Sequence, residues 1–358
     1  MTRRHIVAPA ALVVLALTLV ASPAVHAQRQ YVGVLVAPFA GPDPLARKAA
    51  TILHLQTWQT LIAAREVNAR KLSFRRAIAQ WTETTPPRSH AEALALLPGT
   101  ESQMTLWGQA QPFGKGIVVQ AYLSVGESAA AASQALWTVE ARELPAGERR
   151  ISVGLPATLF EFAPIVLRED VIPLLNTPVG MPIYKDRAFK EQIGELAGHF
   201  EAKEHAPNAA YVVSNGAEGW VRLPGLSANR TEVTDFAGGL IRIFRQDWAG
   251  AIELFERVTR SKTAPVSIRI SSYQLMAAAS HLLHVQVGTP SRSLEYAEAA
   301  EALNPYLRET VKSKCMALLA AGRSAATMDR LAATIRRSAY LFPKGDPWLE
   351  RVRRVIGP

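Results

Sequence analysis

The sequence predicts a multidomain protein in which an N-terminal α+β domain and a small all-β barrel precede C-terminal α-helical repeats. Three observations predict this fold class. Strand-like and helical patterns are mixed in residues 28–165, short strands and glycine-rich turns fill residues 179–226, and helical periodicity runs through residues 235–358. A chain of 358 residues, of which 49% are hydrophobic, is long enough to form several hydrophobic cores.

Residues 1–27 have the pattern of a secretory signal peptide. Arg3 and Arg4 precede an apolar run from Ile6 to Ala21, and Val25-His26-Ala27 places small residues where a signal peptidase cleaves. The alternative is a membrane anchor, but the run is shorter than the roughly 20 residues that span a bilayer. No cysteine follows the run as a lipid acceptor. We therefore expect a soluble periplasmic protein that is neither lipidated nor membrane-spanning after cleavage.

Residues 28–165 are predicted to form the α/β domain, which begins with a β-branched apolar run and ends in a strand meander. The predicted elements in order are strand 31–39, helices 45–64 and 70–81, a short helix from Ser89 to Leu97, and strands 104–108, 116–125 and 136–144. Glycines 114 and 116 predict a hairpin turn between the second and third strands, and this turn explains them better than a phosphate-binding loop.

The motifs Ala37-Pro38-Phe39, Leu106-Trp107-Gly108 and Val118–Leu123 carry a resemblance over about residues 31–145. They resemble the N-terminal domain of the Tol-system propeller protein and of related envelope-assembly lipoproteins. The resemblance implies a protein-docking module with no catalytic residues. The lipidated cysteine of the lipoprotein members is absent from this chain.

Residues 179–226 show the pattern of a barrel of short strands. Ser214-Asn215-Gly216 lies between two β runs, and Asn-Gly supplies the positive φ angles of a tight hairpin. Ile183-Tyr184 at the start, together with this hairpin and Gly219-Trp220-Val221, resembles the bacterial SH3 (SH3b) family. The resemblance implies an SH3-like barrel that binds cell-wall peptides or other short peptides.

Four aromatic residues of this segment are candidates for a peptide-binding groove: Tyr184, Phe200, Tyr211 and Trp220. Aromatic rings offer a large contact area at a small cost in conformational entropy, so peptide grooves favour them. The alternative is that these rings fill the core of a small barrel, and this alternative is stronger for Phe200 and Tyr211 than for the other two.

Residues 235–358 are predicted to form helical repeats. Trp248, Ala251, Phe255 and Val258 fall on one helical face. Prolines 265, 305 and 343 recur every 38 to 40 residues, where each would close a helix pair. The pattern resembles tetratricopeptide (TPR) repeats, although it is longer than the usual repeat. The resemblance implies a stack with a concave face that binds partner segments, and the alternative is a stack that only braces the other domains.

The positive charge of the chain is concentrated in these repeats, which carry 18 Lys and Arg against 11 Asp and Glu. A basic surface is predicted near the end of the chain, formed by Arg336, Arg337, Arg351, Arg353 and Arg354. Such a surface attracts anionic wall polymer, lipid headgroups or an acidic protein, although solvated helix faces are the alternative. Nucleic acid is not expected as a partner of an exported protein without a reading motif.

The sequence contains no recognisable catalytic or metal-binding motif. Cys315, the single cysteine, lies in an apolar helical pattern and is predicted to be buried. His281 and His284 share a helical face without a nearby carboxylate or cysteine. Paired acids such as Glu169-Asp170 have no predicted pocket. We therefore expect neither enzymatic activity nor a metal or other cofactor.

These observations together predict a non-catalytic periplasmic adaptor. Its expected partners are proteins or peptides, with peptidoglycan as a further candidate, bound through the SH3b-like and TPR-like modules. One alternative is an accessory or regulator of an envelope enzyme or secretion system that docks through the N-terminal domain. A second alternative is a cell-wall hydrolase with an unrecognised site.

Overall fold

The computed structural model describes residues 33–37, 40–41, 86–100, 102–113, 116–167, 181–196, 201–206, 209–214, 216–222 and 232–357. The predicted signal peptide, the predicted helices 45–64 and 70–81, the acids Glu169-Asp170 and Phe200 lie outside these residues. All described residues belong to one compact unit, Tyr31–Pro358. Within them, no helix combines the length and the apolar character needed to cross a membrane.

The described residues form both sheets and helices, which confirms the predicted mixture of α and β structure. The first sheet has the order β1-β2-β3-β6, and β7 pairs with the other end of β3. Its strands are β1 (Gly33–Val36), β2 (Ser102–Phe113), β3 (Gly116–Val125), β6 (Leu159–Glu161) and β7 (Ile165–Leu167). The β1–β2 pairing is parallel, and the other pairings are antiparallel. The predicted hairpin is confirmed, because Phe113 pairs with Gly116.

Both faces of the first sheet carry buried residues. Leu106 and its cross-strand partner Leu123 are fully buried in the main core. On the opposite face, Trp107 and Tyr122 pair and their rings stack at 4.5 Å. This face lies under helix α1 (His90–Ala95).

Two further short elements follow β3. Helix α2 (Glu127–Ala132) leads to strand β4 (Trp137–Glu140), which pairs with β5 (Arg150–Val153) in a separate two-stranded sheet. The predicted strand 136–144 is therefore confirmed in a shorter form, while the sequence pattern gave no prediction of β5, β6 or β7.

Residues 182–222 form a second, antiparallel sheet of five short strands. The strands are β8 (Pro182–Tyr184), β9 (Gln192–Glu195), β10 (Glu201–Ala206), β11 (Ala209–Ser214) and β12 (Ala217–Arg222). Their order is β10-β11-β12-β8-β9, so the last strand pairs with the first. Strands β11 and β12 pair as the predicted hairpin requires, since Ser214 pairs with Ala217, and Gly216 has a φ of 80°, while Asn215 lies outside the described residues. Ile183, Val212 and Val221 point from this sheet into the main core.

The chain ends in seven described α-helices that follow one another closely. They are α3 (Glu232–Phe244), α4 (Trp248–Arg260), α5 (Val266–Val287), α6 (Ser293–Leu303), α7 (Arg308–Ala321), α8 (Ala325–Ser338) and α9 (Pro347–Ile356). Prolines 265, 305 and 343 lie between α4 and α5, α6 and α7, and α8 and α9. The predicted buried face of α4 is confirmed for Ala251, Phe255 and Val258, while Trp248 is half-buried against the core.

The helices pack on the sheets through the first helix of each pair, and we call this surface the first-helix face (α3, α5, α7 and α9). Helix α5 contacts β6, α7 contacts β4 and β5, and α9 contacts β5. From α3, the Phe236 ring lies 4.7 Å from that of Phe160 and 5.8 Å from that of Phe162. The chain's own strands therefore cover part of the first-helix face.

Candidate functional site

Three of the four predicted groove aromatics lie side by side on the second sheet. Tyr211 pairs with Trp220, and Trp220 pairs with Tyr184, so the three residues form a row across β11, β12 and β8. The neighbouring residues in each strand point to the main core, and the alternation of a strand therefore places this row on the opposite face. The rings of Tyr211 and Trp220 meet edge to face at 5.2 Å.

A fourth ring completes what we call the aromatic cluster (Tyr184, Phe189, Tyr211 and Trp220). Phe189 comes from the loop between β8 and β9, and its ring meets that of Tyr184 at 5.4 Å. The loop turns at Asp186, whose side chain accepts a hydrogen bond from the amide of Ala188 (2.8 Å). Phe189 adopts a φ of 54°, which is uncommon for a bulky residue.

Sequence reasoning missed Phe189 because it lies in a loop rather than on a strand. The signal that could have indicated it is the Asp186-Arg187-Ala188 turn, since aspartate favours a turn by bonding the backbone two residues on. Phe200, the remaining predicted aromatic, lies outside the described residues.

Two arginines lie against the aromatic cluster. The guanidinium carbon of Arg187 is 4.1 Å from the centroid of the Trp220 ring, and that of Arg222 is 5.7 Å from the Phe189 ring. Both distances are within the range of cation–π attraction. Trp220 is only 8% exposed, while Tyr211 and Phe189 are half-buried. The cluster thus offers partly exposed ring faces beside positive charge.

Four of the five arginines of the predicted basic surface make ion pairs or hydrogen bonds with other residues of the chain. Arg337 pairs with Glu301 (2.6 Å), Arg353 pairs with Glu350 (2.7 Å), and Arg354 pairs with Glu148 in the loop between β4 and β5. The side chain of Arg351 donates to the backbone oxygens of Pro347 and Arg150. Arg336 is exposed, and it makes no ion pair within the described part of the chain.

Cys315 and Ser124, two potential nucleophiles of the described residues, are buried. Cys315 is fully buried, and burial raises the pKa of its thiol. Ser124 Oγ lies 2.8 Å from His90 Nδ1, a serine–histidine pair that sequence reasoning missed. Ser124, however, is 0% exposed and accepts a second hydrogen bond from Trp107 Nε1 (2.8 Å). A nucleophile must reach its substrate, so this pair is structural as it stands.

No metal-binding group is present among the described residues, where no three His, Cys, Asp or Glu side chains converge. His281 instead lies against the Trp137 ring, with the centroids 5.8 Å apart. His284 bonds the backbone oxygen of Thr289 (2.7 Å) through Nδ1. Comparisons of the chain with protein-family models, with curated proteins and with solved structures found no match.

Proposed function

We propose that this chain is a non-catalytic, exported adaptor that binds peptides, cell-wall material or partner proteins through its five-stranded barrel. The observation that carries the proposal is the aromatic cluster, in which three rings from neighbouring strands and one from a loop share a face with Arg187 and Arg222. Neighbouring ring faces on one sheet surface suit the side chains of an extended peptide.

The finer fold assignments belong to the same proposal. The pairing of the last strand with the first, through Trp220 and Tyr184, supports an SH3b-like barrel. Successive packed helices, with prolines 265, 305 and 343 between the pairs, support degenerate TPR-like repeats. Both assignments rest on topology and sequence pattern.

The barrel is a better candidate for ligand binding than the helical stack. Phe236 on the first-helix face is already covered by Phe160 and Phe162 of the sheet region. A partner segment would have to displace these contacts before it could bind there. The stack therefore serves in this proposal as a brace that holds the barrel and the first sheet.

The charges at the cluster indicate the chemistry of the ligand. Arg187 and Arg222 are exposed and lie over ring faces, so they suit a ligand that carries carboxylates beside apolar or ring groups. Peptide stems of the cell wall and acidic segments of partner proteins both have this chemistry.

The proposal is tested by sedimentation of the purified chain with intact peptidoglycan sacculi. We expect the wild type to sediment, Tyr211→Ala to reduce the bound fraction about fivefold, and Trp220→Ala to abolish it. Tyr340→Ala is the matched control, because Tyr340 is an exposed aromatic (69%) in the helical region. Each variant is checked for an unchanged circular dichroism spectrum.

Two other outcomes would favour a different function. A wild-type chain that stays in the supernatant excludes wall binding, and the partner is then sought by cross-linking in an envelope extract. Release of soluble fragments from the sacculi would instead support the hydrolase alternative.

A further inference from the structure

A cavity of about 280 Å³ lies at the contact between hairpin β4–β5 and helices α5 and α7, and we call it the seam cavity. Its volume is close to the lower end of the range for small-molecule sites, which is about 300 Å³. The seam cavity is separate from the aromatic cluster, so the inference drawn from it does not rest on the proposed function.

The lining of the seam cavity combines polar groups with apolar side chains, and the polar share of its surface is the larger. Leu136, Trp137 and Leu155 from the hairpin region and Leu275 from α5 form much of the apolar lining. Ser152, Gln274, Lys312 and Ser313 are among the polar residues. Polar groups that stand beside leucine side chains can orient a small molecule with one polar end and one apolar part.

Lys312 is the cation of this lining, and it has no hydrogen-bonded or ion-paired partner among the described residues. Its side chain is half-buried, and burial lowers the pKa of its ammonium group. Within the described part of the chain it makes no hydrogen bond or ion pair, and the contact it does make is with the Trp348 ring, 5.7 Å from Nζ. An ammonium group has three donors, and those of Lys312 are open to hydrogen bonds with a ligand in the cavity.

The acids near Lys312 are engaged elsewhere. Glu309, which also lines the cavity, accepts a hydrogen bond from Arg308 Nε at 3.0 Å. Asp346 caps α9 and accepts from the amides of Trp348 (3.0 Å) and Leu349 (2.9 Å). The charge of Lys312 is therefore the one at this cavity that a ligand could neutralise by direct contact.

We propose that the seam cavity binds a small monocarboxylate with an apolar body, whose carboxylate accepts hydrogen bonds from Lys312 Nζ and Ser313 Oγ. The Ser313 hydroxyl makes no hydrogen bond of its own within the described residues. One lysine matches a single negative charge better than a phosphate dianion, which would add unmatched charge beside Glu309. Leu136, Leu155 and Leu275 would contact the apolar body.

The same chemistry occurs in a free organic acid and in the last residue of a peptide chain. The probes are therefore N-acetyl-leucine, N-acetyl-phenylalanine and the tripeptide Ala-Ala-Leu, each compared with its own C-terminal amide. Binding to the full chain is measured by titration with ligand-detected nuclear magnetic resonance. Tighter binding of the tripeptide than of the acetylated acids would identify a peptide terminus as the source, and the reverse would identify a free acid.

We expect at least one acid to bind with a dissociation constant near the millimolar range and its amide to bind at least about tenfold more weakly. Lys312→Gln should weaken binding of the acid about tenfold, while Lys262→Gln, an exposed lysine outside the lining, should leave it unchanged.

Equal binding of acid and amide overturns the proposal even if Lys312→Gln fails to fold. So does the absence of binding by all three acids. Sedimentation with sacculi should be unaffected by Lys312→Gln, which keeps the two proposals separable.

Discussion

Gly250, in the first turn of α4, leaves room for a buried guanidinium. Arg242 is 6% exposed, and its Nη1 lies 2.5 Å from Asp247 Oδ2. Asp247 also caps α4, because its Oδ1 accepts a hydrogen bond from the Gly250 amide (3.1 Å). A β-carbon at position 250 would lie 1.9 Å from Arg242 Nη1, so a larger residue there must displace a charged group that is almost fully buried.

We therefore expect Gly250→Ala to lower the free energy of unfolding by about 2 kcal/mol. In an ordinary helix interior, Gly→Ala raises the free energy of unfolding by up to about 1 kcal/mol. The sign of the measured change therefore shows whether Arg242 resists displacement. Urea unfolding gives the measurement. Gly147→Ala is the control, because no atom lies within 4 Å of a β-carbon built there. A stabilised Gly250→Ala variant would show that Arg242 moves without cost.

His281 makes the stability of the protein dependent on pH. Burial, and to a smaller degree the charge of His284, lowers the pKa of His281 below its ordinary value of 6.5. The unfolded chain then binds this proton more readily than the folded chain does. The stabilisation is complete above pH 6.5, and it is lost as the pH falls through the lowered folded pKa.

We expect His281→Gln to flatten the fall in the free energy of unfolding between about pH 7.5 and about pH 5, measured by urea unfolding at several pH values. His284→Gln should retain most of the fall, because burial is the larger cause of the shift. If His281→Gln and the wild type lose stability in parallel, another group is responsible.

The sequence allowed a prediction of part of the candidate site at the residue scale. Tyr184, Tyr211 and Trp220 were predicted from strand motifs, and register places them side by side. Phe189 and Arg187 could not be predicted in the same way, because a loop brings them to the sheet. Lys312 could not be predicted either, since its unpaired state depends on the packing of α7 against a distant hairpin.

At the scale of single elements, the pairing of β12 with β8 depends on Gly219. A β-carbon at this position would lie 2.3 Å from the backbone oxygen of Tyr184 and 2.9 Å from Ile183 Cγ2. The next residues, Trp220 and Val221, pair with Tyr184 and Ile183. The pairing of β12 with β8 and the position of Tyr184 in the aromatic cluster therefore require glycine here.

We expect Gly219→Ala to destabilise the protein by about 1–3 kcal/mol and to reduce the near-ultraviolet circular dichroism of the aromatic cluster. Glu218→Ala is the matched control on the same strand. Its exposed ion pair with Lys203 contributes no more than about 1 kcal/mol. A Gly219→Ala variant that matches this control in both measurements would show that β8 can shift away without loss.

Local patterns explain which elements could be predicted from the sequence. The β2–β3 hairpin and the buried face of α4 are set by alternation and helical periodicity within a few residues. Strands β5, β6 and β7 have only three or four residues each. Their sequences are too short to show a period. Strands β6 and β7 form by pairing with residues of β3 that lie 35–39 and 46–50 positions earlier in the chain.

At the scale of the whole molecule, Phe236 joins the helices to the sheets. It is fully buried, and its ring also lies 5.5 Å from that of Phe255 in α4. An ion pair between Arg323 Nε and Glu143 (3.0 Å) links the two regions at another point. Exposed ion pairs contribute little, so the energy of the contact comes chiefly from the buried rings.

We expect the wild type to unfold in urea in a single transition, because one core runs through sheets and helices. Phe236→Ala should lower the free energy of unfolding by about 4 kcal/mol and separate the loss of helical signal from the loss of tryptophan fluorescence. Phe244→Ala, at the half-buried end of the same helix, should cost less and keep the transitions coincident. If both signals of Phe236→Ala are lost in one transition, the helices stay packed on the sheets without this ring. The other contacts between the first-helix face and the sheets then hold the two regions together.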